Sequence, residues 1–260
     1  MASVLITGAS KGIGRLTAEE FSRRGHRVVA TARDPRTLAH LDVDQRLALD
    51  VTDQASVSAA VEAAGEIDIL VSNAGGIFFA AVEATPPDRF LELLDLNTVG
   101  SLRVAQAVLP GMRARGSGRL LFISSVVGRI VIPPGAAYAA TKWALEAFVE
   151  SLAMEVAPYG VEASLLEPGG VNTTLLDDME WHRLPDDPYS ALRGPDRTGN
   201  TVTSSEEMAA AVADAAEAPH LPLRLPVGAP AHAVLAARRE APDTVPFVLG
   251  QPAATTGAEA

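Results

Sequence analysis

Short apolar runs alternate with longer, helix-patterned segments through the first half of the chain. Val4-Leu5-Ile6 is followed by Gly12 to Arg24 at helical spacing, and then by Val28-Val29-Ala30. Runs of this kind suit strands covered on both faces, and parallel strands need a crossover helix between them. The order strand, helix, strand is therefore the signature of βαβ units. Further runs at Leu47 to Leu49, Ile67 to Val71, Leu120 to Ile123 and Val161 to Leu166 continue it, with helical patterns over 53–64, 87–115 and 136–157. The expected fold class is α/β, a three-layer Rossmann-like, doubly wound parallel sheet of at least six strands in a single domain.

After Pro168 the pattern breaks. The stretch 169–205 is rich in Gly, Pro, Asp, Asn and Thr and reads as a substrate-binding loop. A helix over Ser205 to Ala216, a last strand over Leu223 to Val227 and a helix over Ala231 to Arg239 are expected beyond it. At 260 residues one domain over 1–250 is the expectation, with 251–260 as a flexible tail.

Composition narrows the function classes. With 32 acidic and 21 basic residues the net charge is −11, and no basic run offsets it, which argues against nucleic acid as the main partner. The chain has no cysteine, so thiol nucleophiles, disulfides and Cys-ligated metals are excluded. Five histidines without an HExxH pattern give no metal site. No leader pattern and no apolar stretch of about 20 residues are seen, so no membrane span and a cytoplasmic location are expected.

Gly8, Gly12 and Gly14 fall where the first strand hands over to the first helix, in Thr7-Gly8-Ala9-Ser10-Lys11-Gly12-Ile13-Gly14. Glycines there permit the turn and a close approach of backbone to a pyrophosphate, while the helix N-terminus offers N–H groups and positive potential. The spacing is Gly-x3-Gly-x-Gly. Down the chain follow Asp50-Val51 after the third strand, Asn73-Ala74-Gly75 after the fourth, Asn97 in the next helix and Ser125 after the fifth strand. Tyr138 and Lys142 come next as Tyr-x3-Lys, then Pro168-Gly169 after the sixth strand. In this ordered set the chain resembles the short-chain dehydrogenase/reductase family, in its classical subgroup.

The resemblance implies an NADP(H)-dependent oxidoreductase acting on an alcohol or carbonyl. Cofactor contacts would come from Gly8, Ser10, Lys11, Gly12, Ile13 and Gly14, from Asp50 and Val51 beside the adenine, and from Asn73, Ala74 and Gly75. Pro168, Gly169 and Val171 would meet the nicotinamide end, as would Tyr138 and Lys142, and Thr173 would bind its carboxamide or the pyrophosphate. An acid at the end of the second strand accepts the ribose 2′-OH of NAD. The family's position for it is Ala32, which is neutral and is followed by Arg33, and with Lys11 this favours the 2′-phosphate of NADP(H).

Tyr138 and Lys142 are four apart and share a helix face. A tyrosine ionises near pH 10 and needs neighbouring positive charge to act as acid and base at neutral pH, which Lys142 and the oxidised nicotinamide would each supply. In the family reading Tyr138 exchanges a proton with the substrate oxygen, Ser125 orients the carbonyl, with the adjacent Ser124 as the rival, and Asn97 holds a relaying water. Phe78 and Phe79, Val126, Ile130 and Ile132, and Met179 or Trp181 are expected to give the cleft an apolar lining, with Ile130 and Ile132 nearly as well explained as core. This suits a small apolar ketone, aldehyde or alcohol. The C-terminal segment Leu223 to Gly228 resembles that of hydroxysteroid and retinol dehydrogenases. A homodimer or homotetramer, formed through the helices at 87–115 and 136–157, is expected. The rival reading is a non-catalytic NADP(H)-binding regulator of the same fold, which the retained Tyr138 and Lys142 disfavour.

Overall fold

The computed structural model describes residues 1–173, 179–192 and 202–248. Its elements run in the order β1 (Ser3–Ile6), α1 (Gly12–Arg23), β2 (Arg27–Ala32), β3 (Gln45–Ala48), α2 (Gln54–Ala64), β4 (Ile69–Ser72), β5 (Phe78–Phe79), α3 (Pro87–Leu94) and α4 (Gly100–Arg115). They continue as β6 (Gly118–Ile123), α5 (Ala136–Val156), β7 (Val161–Pro168), β8 (Glu180–Trp181), α6 (Ser205–Glu217), β9 (Arg224–Val227) and α7 (Ala229–Glu240). Seven strands form one sheet in the order β3-β2-β1-β4-β6-β7-β9, and every pairing is parallel.

Strand residues alternate between two cores, as the pleat requires. Val4 and Ile6 face one side with Phe21 of α1 and Met208 and Val212 of α6. Leu5, Leu70, Leu120 and Phe122 face the other, against Val57 of α2, Val104 and Met112 of α4 and Leu145 of α5. Helices therefore cover both faces, which is why the central strands read as unbroken apolar runs. Strand order reverses beside β1, and the crevice outside the carboxyl ends of β1 and β4 is where such sheets bind ligands.

Three expectations need correction. The third strand spans Gln45–Ala48 rather than Leu47 to Leu49, because this edge strand alternates half-buried and exposed residues and lacks the apolar run of the centre. The helical pattern over 87–115 is broken by a π-helical turn at Asp95–Val99, which carries Asn97 inward. The stretch 169–205 is also not a plain loop: Val171 bridges Thr203 at its base, and β8 pairs in parallel with β5, Phe79 opposite Trp181. The tail over 251–260 lies outside the described residues. No helix among the described residues is long and apolar enough to cross a membrane.

Candidate active site

The glycine loop is shaped first by packing within the chain. Gly8 and Gly12 have φ of +67° and +56°, where a side chain is strained. A Cβ on Gly14 would lie 2.4 Å from both the Asn73 Nδ2 and the Gly8 carbonyl oxygen. Asn73 uses that space: its Nδ2 donates to the Thr7 and Gly8 carbonyls at 2.9 and 3.1 Å, while its amide and that of Ala74 donate to the Thr7 hydroxyl. Gly75 is similarly close to Asn97, whose Oδ1 accepts from the Gly76 amide at 2.8 Å.

The same loop suits an anion. Helix α1 starts at Gly12 with no side-chain cap and no acidic residue in its first turn, and exposed Lys11 is its N-cap residue. Ser10 and Ile13 are half-buried beside it. Ala32 closes β2 and Arg33 follows it on the surface. Asp34 does not pair with Arg33: its carboxylate is engaged by Arg36 at 2.8 Å and caps the short turn at Pro35. Asp50 is held below the usual carboxylate range by the Thr52 hydroxyl and amide, with smaller help from Arg33 and Arg103. Val51 is buried in the core, its side chain against Gly100. An uncapped helix end and two cations fit the phosphates of a dinucleotide.

Helix α5 supplies the reactive groups. Tyr138 packs on the cluster of Phe78, Ala80 and Ala137, and its hydroxyl is close enough to Ser125 for that hydroxyl to act on its ionisation. Lys142 is 7% exposed; its Nζ donates to the Ile123 carbonyl at 2.8 Å and lies 5.9 Å from the centre of the Tyr138 ring. Asn97 Nδ2 donates to the Thr141 hydroxyl at 3.0 Å, and that hydroxyl donates to the Tyr138 carbonyl. Of the two serines, Ser125 faces the tyrosine, whereas the Ser124 hydroxyl donates to Glu146. Ser125 also donates to the carbonyl of Pro168, so the start of the Pro168-Gly169 segment lies against the same turn. Val171 and Thr173 follow it, half-buried.

Electrostatically, burial dominates. It pushes the Tyr138 hydroxyl up to about 12, against a lowering contribution from Ser125. It pushes Lys142 down to about 8, against the opposing charge of Glu146.

The expected cleft lining is only partly where it was placed. Phe78 is 1% exposed and supports the Tyr138 ring from beneath rather than lining the cleft, with Arg89 stacked over its own ring. Val126 and Ile130 are buried with Ala231 and Leu235 of α7, and Ile132 borders that cluster. Phe79 and Trp181 stack face to face, with centroids 5.2 Å apart, and Met179, just before Trp181 in the chain, is half-buried. Sequence reasoning did not find Thr141, nor the buried Glu146 and Glu167. A repeat of polar residues every four positions, Tyr138, Lys142, Glu146, Glu150, was the available signal.

The fold and this constellation define a nucleotide-binding oxidoreductase of the α/β class, and the comparisons with known proteins make the class specific. The family model for short chain dehydrogenases matches residues 2–183. Oxidoreductase BOA17 of Botryotinia fuckeliana is 36% identical over 240 residues, covering 86% of this chain and 87% of that protein. Human 17-beta-hydroxysteroid dehydrogenase type 1 is 41% identical over 192 residues, covering 68% of this chain and 58% of that one. A solved short-chain dehydrogenase from Streptomyces avermitilis superposes with a TM-score of 0.82 at 34% identity, covering 90% of each chain. The chain belongs to the short-chain dehydrogenase/reductase family of oxidoreductases.

Proposed function

We propose that the protein is an NADP(H)-dependent reductase of an apolar ketone or aldehyde, reversible as a secondary-alcohol dehydrogenase. The observation that carries this is the convergence of Tyr138, Ser125 and Lys142 beside the carboxyl ends of the sheet strands. When bound, the dinucleotide would supply or accept the hydride. The loop from Gly8 to Gly14, Lys11 and Arg33 would hold its phosphates, Asp50 and Val51 its adenine end, and the segment from Pro168 to Thr173 its nicotinamide end.

The chain's own residues then divide the remaining work. Ser125 fixes the substrate oxygen by hydrogen bond. Tyr138, a neutral phenol at physiological pH, donates its proton to that oxygen as negative charge develops there. Lys142 stabilises the phenolate left behind, and Asn97, tied to Gly76 and Thr141, keeps the helix turn beside Lys142 in place. The stacked Phe79 and Trp181 favour an apolar substrate. The exposed apolar residues of α5 favour self-association, as a homodimer or homotetramer.

The test follows the near-ultraviolet absorbance of NADPH across a panel of apolar ketones and aldehydes. Tyr138→Phe should lower turnover at least ~10²-fold while leaving NADPH affinity nearly unchanged. Turnover close to wild type in that variant overturns the mechanism, and no turnover with any substrate favours the regulator instead.

A further inference from the structure

Tyr138, Lys142 and Glu146 follow one another by single turns of α5, and each grips one residue of the turn that leaves β6. Lys142 takes the Ile123 carbonyl, Glu146 Oε1 accepts from the Ser124 hydroxyl at 2.5 Å, and Tyr138 meets Ser125. Gly128 makes the middle contact possible, since a Cβ there would lie 2.9 Å from the Glu146 Cγ and 3.1 Å from the Ser124 Oγ.

Behind this row sits a second layer of charge. Glu146 is 4% exposed, and its Oε2 accepts from Arg224 Nε at 2.8 Å. Arg224 comes from the last strand, β9, and also reaches Glu150 one turn further along α5 at 2.6 Å. Glu167 of β7, 1% exposed, lies against the same group, with its Oε1 3.6 Å from Arg129 and 3.7 Å from Arg224 but accepting no hydrogen bond. Two adjacent buried carboxyls resist ionising together. Glu146 has a hydroxyl and a guanidinium donating to it, whereas burial and the neighbouring Glu146 push the Glu167 carboxyl up toward its neutral form.

We propose that Glu146 is a positioning residue for Lys142: its buried carboxylate, held by Arg224 and tied to Ser124, places an opposite charge one helical turn from the Lys142 ammonium and anchors the turn that carries Ser125. The charged and titratable groups facing this cluster are Tyr138, Lys142 and Glu150 on α5, Arg129 after the β6 turn, Glu167 on β7 and Arg224 on β9. Burial works against the Lys142 charge, and Glu146 is what opposes it. The C-terminal strand thereby reaches the catalytic helix through a single arginine. The catalytic consequence rests on the dehydrogenase reading above, whereas the charge coupling does not.

The chain has two lysines, Lys11 and Lys142, so isotope labelling of the lysine ε-carbons gives two resonances, which Lys11→Arg assigns. In the cofactor-free full-length protein the Lys142 titration midpoint should fall by about one pH unit in Glu146→Gln, as expected for loss of one adjacent opposite charge. Arg224→Met, which removes the cation that offsets the Glu146 carboxylate, should move it the opposite way, upward. This second variant asks the question from β9 should Glu146→Gln not fold. An unchanged Lys142 midpoint in either folded variant overturns the proposal, even if activity falls. In active Glu146→Gln enzyme the basic limb of kcat/KM should move to lower pH by the same amount, a displacement that simple loosening of the helix would not produce. A limb that stays in place overturns the catalytic part. Absence of any turnover in the wild type counts against the dehydrogenase reading, and the lysine titration alone then decides the coupling.

Discussion

Lys142 and Glu167 are buried and Tyr138 is half-buried, and each moves toward its neutral form. The phenol rises to about 12, the ammonium falls to about 8 and the carboxyl rises to about 7, in every case chiefly by burial. For Glu167 this has a consequence for stability. An acid whose folded-state pKa lies above its unfolded value binds its proton more tightly when folded, so its contribution is complete below about 4.5 and is lost as the pH rises through about 7. Glu167→Gln escapes that loss. Its Tm relative to wild type should therefore rise by roughly a few degrees between about pH 5 and pH 8, and a constant Tm difference across that range refutes the assignment. Arg33 makes a second claim at this scale. With Asp34 committed to Arg36, Arg33 is available to a 2′-phosphate, and a charged hydrogen bond contributes about 1.5–3 kcal/mol. Arg33→Ala should reduce the preference for NADPH over NADH by about tenfold or more in binding titrations. An unaltered ratio of the two dissociation constants would remove Arg33 from the phosphate site.

At the scale of elements, the handover from β1 to α1 is a joint between three segments. Gly14 leaves room for Asn73 after β4, and Asn73 holds the carbonyls of Thr7 and Gly8 after β1. Gly14→Ala should accordingly lower stability by about 1–3 kcal/mol in urea unfolding without any cofactor present, the cost of forcing a methyl into a filled space. If only NADPH affinity changes, the glycine serves the ligand alone. The central strands were legible because burial on both faces makes each an apolar run, and the loop and the Tyr138–Lys142 pair because their spacing is local. β5 and β8 were not: each is two residues long and exists through backbone pairing across about a hundred positions, which leaves no periodic trace. The turn at Asp95–Val99 was hidden for a related reason, since one altered helical turn barely disturbs a pattern of apolar spacing. The network of Glu146, Glu167 and Arg224 joins α5, β7 and β9, so no local window contains it. Phe78 was misplaced because an aromatic residue after a strand looks the same whether it borders a cleft or fills the core below it.

Across the whole molecule, a chain of net charge −11 must accommodate a polyanionic dinucleotide, and the uncapped end of α1 with Lys11 and Arg33 gives it one local positive site. The outer side of α5 poses the opposite problem. Trp143, Phe148 and Met154 are 45%, 48% and 69% exposed, and helical spacing sets them, with Ala147, along one side of a helix whose other side fills the core. Large aromatic and sulfur side chains are the kind that anchor subunit contacts, whereas the charge of the remaining surface keeps unrelated faces of two copies apart. A symmetric pairing of α5 with its copy places Phe148 near its equivalent, and a carboxylate there would face another carboxylate in a desolvated setting. Phe148→Glu should therefore shift the sedimenting species from a multiple of 27.1 kDa to the single chain, with Tm little changed if the fold of each subunit is independent of pairing. Wild-type protein sedimenting as a single chain at micromolar concentration, or a variant that still associates, would show that this side of α5 is not the subunit contact.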